Sequence, residues 1–519
     1  MKNPFVFFVS VLACCVAVCN GYAQQTAYQQ TNLVGNVAGV GNNTDPNLSN
    51  PWGIAYFPGQ PFWVSDNNSG LSTLYDNLGN VQPLVVTIPS AAVNPCNPGC
   101  PTGIVANTFG GYFGGGAFLF DTEDGILASW SSGTTATKVF DNSANGAVYK
   151  GLALDYNGAG YYLLLANFNS GKIDVLNSSF ALTTLTGNFT DPTLPAGYAP
   201  HGVHVIGSNV YVAYGQQDSQ KHDPVVGAGL GLVDVFDLNG NFVSRLVSAG
   251  GALNAPWAVT LAASGFGTFG GDLLVGNFGD GTINAYDPST GGSLGQLVDV
   301  NDVVISNPGL WEMVFGGGSL SGDPNTMYFT AGGSNQTSGL FASLAAATAG
   351  SFTIAPSAAS ITVAKGGSGS LMVSATGANG FSGAISLSCT QPPSGVTCAF
   401  SPASITPGTP STLIVSVASS TSGGGYVSPA MLMLLPFSLG LMVCAAHHRR
   451  QRNRLAKALR RLGVAIPFGI VVLAALLIAG CGSSNSGSGG GGTTTPVTLT
   501  IAGTSGSLSQ STTVTVNIN

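Results

Sequence analysis

The sequence predicts an all-β protein: a six-bladed β-propeller, a smaller β-sandwich, and two transmembrane helices near the C-terminus. Three observations carry this reading. A short phrase recurs six times at near-constant spacing; charged residues make up only 7% of a 519-residue chain that contains 75 glycines; and two apolar runs flank a block of arginines near the end. Many glycines with few charges suit short strands and tight turns better than long amphipathic helices.

At the N-terminus, Lys2 precedes an apolar run from Phe5 to Cys19, and Gly21-Tyr22-Ala23 has the small-x-small form of a cleavage site. Residues 1–23 are therefore read as an export signal. Cysteine usage agrees. Outside the signal and the apolar segments, four cysteines form two local pairs, Cys96/Cys100 and Cys389/Cys398. Each pair can close a small disulfide loop in an oxidising compartment. Neither has a histidine or further cysteine nearby, which argues against zinc.

The repeat occupies residues 31–345. It reads Pro51-Trp52-Gly53-Ile54-Ala55, Pro101-Thr102-Gly103-Ile104-Val105, Tyr149-Lys150-Gly151-Leu152-Ala153, Pro200-His201-Gly202-Val203-His204, Pro256-Trp257-Ala258-Val259-Thr260 and Leu310-Trp311-Glu312-Met313-Val314. Aligned on the third position, the spacings are 50, 48, 51, 56 and 54 residues. Each phrase is followed by strand-turn-strand patterns such as "AFLFDTEDGILASW" (117–130) and "DLLVGNFGDGTINAYD" (272–287). Asp124-Gly125, Ser170-Gly171 and Asp280-Gly281 suit hairpin turns that need positive φ. A hairpin unit of about 50 residues cannot bury both faces alone, so neighbouring units pack around a channel as propeller blades.

The stretch from "NLVGNVAGVGNNTDPNLSNPWGIA" (32–55) to "NTMYFTAGGSNQTSGLFASL" (325–344), with "DNSANGAVYKGLAL", "LPAGYAPHGV", "GLVDVFDLNGN" and "GGALNAPWAV" between, resembles an uncharacterised family of exported bacterial NHL-like β-propeller proteins. That resemblance implies a fold and no established activity. The chain departs from the family at Glu312, where a small residue is expected.

Charge is unevenly placed. All 21 acidic residues lie between Asp45 and Asp323 beside only five basic ones, a formal charge of −16 for that stretch. Such a body repels nucleic acid and anionic lipid. Nineteen of the acids are Asp, the turn-forming acid, so most are expected to shape turns.

After Leu344 the acids end. Residues 352–419 alternate apolar and small polar side chains, as half-buried strands do, and resemble the first part of a bacterial Ig-like domain. The tail 497–519 is strand-turn-strand and looks like its missing closing strands. Between them, residues 428–446 and 462–480 are each long enough to cross a bilayer core. The loop 447–461, with seven Arg and Lys, is expected on the cytoplasmic side. The hairpin thus returns both ends to the exported side, and residues 481–496 form a Gly/Ser linker. Leu477-Ile478-Ala479-Gly480-Cys481 also resembles a lipobox, which makes Cys481 a lipidation site under a competing reading.

Candidate site residues follow from the repeat and from one loop. Trp52, His201, Trp257 and Trp311 share the second phrase position and could ring the channel to bind a planar or sugar-like ligand; inter-blade packing is the alternative. His201 and His204, on one strand, could hold a metal with a carboxylate, although no ligand spacing supports it. The loop "GQQDSQKHDPVVGAGLG" (215–231) carries Asp218, His222 and Asp223, carboxylates beside a histidine that suit proton transfer or a cation. "DTEDG" (121–125) resembles half a calcium loop and is read as a hairpin turn. No cofactor is specified, although Ca²⁺ would suit acids at the channel mouth. With no nucleophile elbow or phosphate loop in the sequence, the reading is a membrane-tethered envelope module that binds a protein or glycan. The alternative is a lactonase-like hydrolase or lyase with a divalent cation at the channel mouth.

Overall fold

The computed structural model describes residues 27–419 and 494–519. The expected export signal, the two apolar runs, the basic loop and Cys481 lie outside the described residues. Among the described residues, no helix is long and apolar enough to cross a membrane.

The described residues are all-β, with three short 3₁₀ turns and no α-helix. Six sheets form the first region. Their innermost strands are Pro51–Ala55, Pro101–Ala106, Tyr149–Tyr156, Tyr198–Ile206, Pro256–Leu261 and Leu310–Phe315. Each packs against the next, and the last against the first, so the sheets close into a ring, the layout of a β-propeller. We number the sheets as blades 1–6 in this order. The first strand of the region, Ala27–Gly35, pairs antiparallel with Leu340–Ala347 and completes blade 6. The two ends of the ring are thereby joined by a hydrogen-bonded ladder.

Every repeat phrase lies on an innermost strand, and each carries a register shift there, for example between Pro51 and Ile54 and between Pro101 and Ile104. Such bulges re-aim side chains locally. The third phrase position explains its glycines by close approach. A Cβ on Gly103 would lie 2.5 Å from the Leu152 backbone nitrogen of blade 3, and one on Gly202 would overlap the Trp257 carbonyl of blade 5. Second strands such as Phe62–Asp66 and Phe118–Thr122 are buried along their whole length, because both faces meet a neighbouring blade.

The second region is a two-sheet sandwich. One sheet orders Ser351–Pro356, Ser368–Ala378, Ser411–Val417 and Val396–Ser401; the other orders Ser360–Val363, Leu508–Ile518, Thr495–Ser505, Ile385–Thr390 and Ser404–Ile405. The tail strands therefore occupy the middle of the second sheet. Thr515–Ile518 runs parallel to Ser360–Val363, and Thr500–Thr504 runs antiparallel to Ser386–Thr390. Leu499, Ile501, Val514 and Val516 enter the shared core against Phe352, Val373, Leu413 and Val415. Cys389 and Cys398 are disulfide-bonded and link the two sheets. The sandwich rests on a turn of blade 5, where Gly350 N donates to Val300 O (3.0 Å) and Ser507 N to Asp302 Oδ2 (3.1 Å).

Four buried aliphatic side chains contribute about 6–12 kcal/mol of burial, comparable to the whole stability of a small domain. Truncation after Gly480 is therefore expected to abolish the sandwich's unfolding transition in calorimetry and leave the propeller's transition in place. An unchanged pair of transitions would show that the tail strands are dispensable.

Candidate functional site

The second phrase position places Trp52, Thr102, Lys150, His201, Trp257 and Trp311 around the ring axis, and all six are buried. Trp52 and Trp311 stack with ring centroids 3.4 Å apart, and Trp257 meets Trp311 edge-on at 6.0 Å. Trp257 Nε1 donates to Lys150 O (2.6 Å), and Trp311 Nε1 to Asn50 Oδ1 (3.2 Å). His201 packs against Phe168, Phe278 and Trp311, with Nδ1 2.9 Å from Pro256 O. A carbonyl only accepts, so Nδ1 carries the proton. Burial pushes His201 down to about 3, so the ring is neutral. These side chains fill the axis and turn no aromatic face to solvent.

Lys150 stands in this ring and organises the mouth above it. Its ammonium is buried, pairs with Glu123 in the second hairpin of blade 2, and lies 3.0 Å from Asp223 in the blade 4 loop. It also sits 5.2 Å over the Trp52 ring. The other Glu123 oxygen accepts from Asn67 Nδ2 of blade 1 (2.9 Å), and His222 Nδ1 lies 3.2 Å from Asp223 Oδ1. Four blades thus converge on one ammonium. Burial opposes its charge, but Glu123 and Asp223 more than offset this and hold Lys150 above its ordinary value. The His222 hydrogen bond, aided by Lys150, keeps Asp223 well below the carboxylate range, and the same bond raises His222. Beside the cluster opens a cleft of about 220 Å³, lined by Glu123, Asp124, Ser143 and His222 among others.

The expected pairing of carboxylates within the loop is corrected here. Asp218 Oδ1 accepts the backbone N of His222 (2.9 Å) and shapes the turn. The second carboxylate at the His222–Asp223 pair is Glu123, supplied by another blade. "DTEDG" forms the hairpin turn, with Gly125 at φ 88°. Asp121 accepts from Thr102 and Gly103, while Asp124 Oδ2 accepts from the backbone of Ala91 and Cys96. Cys96 and Cys100 are disulfide-bonded beside it.

Two comparisons place the chain among relatives. An uncharacterized protein of Acanthamoeba polyphaga mimivirus is 33% identical over 334 residues, which span 62% of this chain and 80% of that protein. A second uncharacterized protein of the same virus is 31% identical over 329 residues, 60% of this chain and 84% of its own length. The chain belongs to this family. No family model matches it. Among solved structures, it is similar to a streptogramin B lyase (12% identity, TM-score 0.37, covering 62% of this chain and 98% of that one) and to S-layer protein SbsC domains 4 and 5 (12% identity, TM-score 0.16, covering 57% and 92%).

In this member of the family, Glu312 is buried on the innermost strand of blade 6. Its Oε1 accepts from Met313 N (3.0 Å) and lies 4.0 Å from His204 Nδ1. His204 Nε2 is 3.1 Å from Trp257 O, and burial lowers His204 to about 4. Among the described residues, neither His201 nor His204 joins a cluster of three metal-ligand side chains. Burial raises Glu312 to about 8. The folded chain therefore retains a proton that the unfolded chain releases above about 4.5, and stability falls as pH rises from there to about 8. Glu312→Gln removes this pH dependence. In denaturant titrations it is expected to gain about 2–4 kcal/mol over the parent at pH 9 and little at pH 5. Parallel pH profiles for parent and variant would contradict the assignment.

Proposed function

We propose that the chain is an exported binding module at the cell envelope, with its ligand site at the mouth cluster of Glu123, Lys150, His222 and Asp223. One observation carries this reading: a buried ammonium is held by carboxylates from two blades, beside an open cleft lined by Glu123 and His222. Buried ion clusters are costly to assemble, and their placement in a cleft favours a ligand role. Glu123 and Asp124 line the cleft and make its wall acidic. The favoured ligand is therefore a small molecule rich in hydrogen-bond donors, an amine or polyol, and not an anion.

The two disulfides support a location outside the reducing cytosol. The six-bladed, NHL-like propeller is joined to an Ig-like sandwich, and the apolar runs 428–446 and 462–480 tether both to the membrane. The positive charge of residues 447–461 supports that topology.

A hydrolase or lyase using a divalent cation is the competing reading. The donor atoms of Glu123, His222 and Asp223 lie within 4.8 Å of one another, which favours it. However, the buried Lys150 ammonium already pairs with both carboxylates, and a divalent cation there would face its positive charge. The residues do not fit a resident metal while Lys150 is in place.

A thermal-unfolding panel tests the binding reading. Amines, amino sugars and polyols are expected to include stabilising compounds, whereas carboxylates and phosphates are not. His222→Ala should abolish the response while lowering unliganded stability by only about 0.2–1 kcal/mol, as for an exposed ion pair. Stabilisation by anions, or an unaltered response in H222A, would reject the site.

A further inference from the structure

The face opposite the mouth carries a second aromatic feature. The mouth residues come from the connections between second and third strands; the connections between first and second strands lie at the other end of each blade. In blades 2 and 3 these other connections bring Phe109, Tyr112, Tyr156 and Tyr161 together. Tyr112 and Tyr161 have centroids 4.0 Å apart, Tyr156 and Tyr161 stack at 4.7 Å, and Phe109 lies 4.7 Å from Tyr161. Tyr161 is thus the middle ring, and the rings at either end, Tyr112 and Tyr156, are 45% and 47% exposed.

Glycines leave this stack uncovered. A Cβ built on Gly110, Gly111, Gly115 or Gly158 would meet no atom within 4 Å. The two connections read "NTFGGYFGGG" (107–116) and "YNGAGY" (156–161). Neither holds a charged residue, and neither holds an aliphatic side chain larger than alanine.

We propose that this stack is a binding site for neutral carbohydrate. Ring faces receive the C–H faces of a pyranose, and phenolic hydroxyls at the rim exchange hydrogen bonds with its hydroxyls. Tyrosine presents such area rigidly, at low entropic cost. The absence of charge disfavours nucleic acid and ionic peptides. A protein partner needs about 800 Å² on each side, whereas the aromatic stack here is four rings beside glycines that face open space. The tryptophans on the axis cannot serve this role, because they are buried.

The test uses the full chain in detergent, with affinity electrophoresis and calorimetry against neutral glucans, mannans, galactans and N-acetylhexosamine oligomers. At least one class is expected to bind. Tyr112→Ala and Tyr156→Ala should each weaken it by about tenfold, and the Phe substitutions at the same positions much less. G111R keeps all four rings and adds a side chain into open space beside them, so it should block binding without unfolding the blade. Failure of every class to bind overturns the proposal, as does binding that survives in G111R or in the Y112A/Y156A double variant. Because the two sites lie on opposite faces, the outcome here does not depend on the mouth cluster.

Discussion

The mouth depends on one buried ammonium. Lys150 projects from the innermost strand of blade 3, covers Trp52 of blade 1, and draws Glu123 of blade 2 and Asp223 of blade 4 to itself. Two carboxylates over a closed axis would repel each other, and an unpaired lysine in that core would lose its proton or its place. Together they form a charged knot that fixes a long loop over the ring. Removing one partner of such a cluster typically costs about 3–5 kcal/mol, because the remaining charge stays buried.

Beneath the knot, backbone proximity sets the architecture. In blades 1–4 the third phrase position is glycine, and the innermost strands approach until main chain meets main chain. Blade 5 has Ala258 and blade 6 has Glu312 at that position. Glu312 sits beside His204, both shielded from water, the carboxyl pushed up and the imidazole pushed down by burial. Large indoles from blades 1, 5 and 6 fill the axis, and the one cationic side chain of the ring lies over Trp52.

The phrase was legible because the same backbone constraint recurs in each blade and leaves the same residues behind. Strand-turn-strand patterns and the glycine turns followed for the same reason. The site was less legible. The shared phrase position of Trp52, His201, Trp257 and Trp311 is visible in the sequence, but their burial depends on how six side chains meet, which no single phrase reveals. Lys150 holds the same position, and its signal in the sequence is that it is one of only five bases in an acidic body. Glu123 was read within a turn, and Asp218 was grouped with His222 by proximity in sequence. The second carboxylate, Glu123, reaches Asp223 through Lys150, which lies 73 residues before Asp223, and packing of successive blades brings the three together. Tyr112, Tyr156 and Tyr161 belong to two separate connections, and the sign of their meeting in the sequence is the glycine-aromatic bias that both connections share.

The central claim is that Lys150 is the resident cation of the mouth. Calorimetric titration of Ca²⁺ and Zn²⁺ into the parent and into Lys150→Met tests it most directly. The parent is expected to show no stoichiometric binding, and the variant, with Glu123, His222 and Asp223 freed, to take up one divalent ion. Stoichiometric binding by the parent with Lys150 intact would contradict the account.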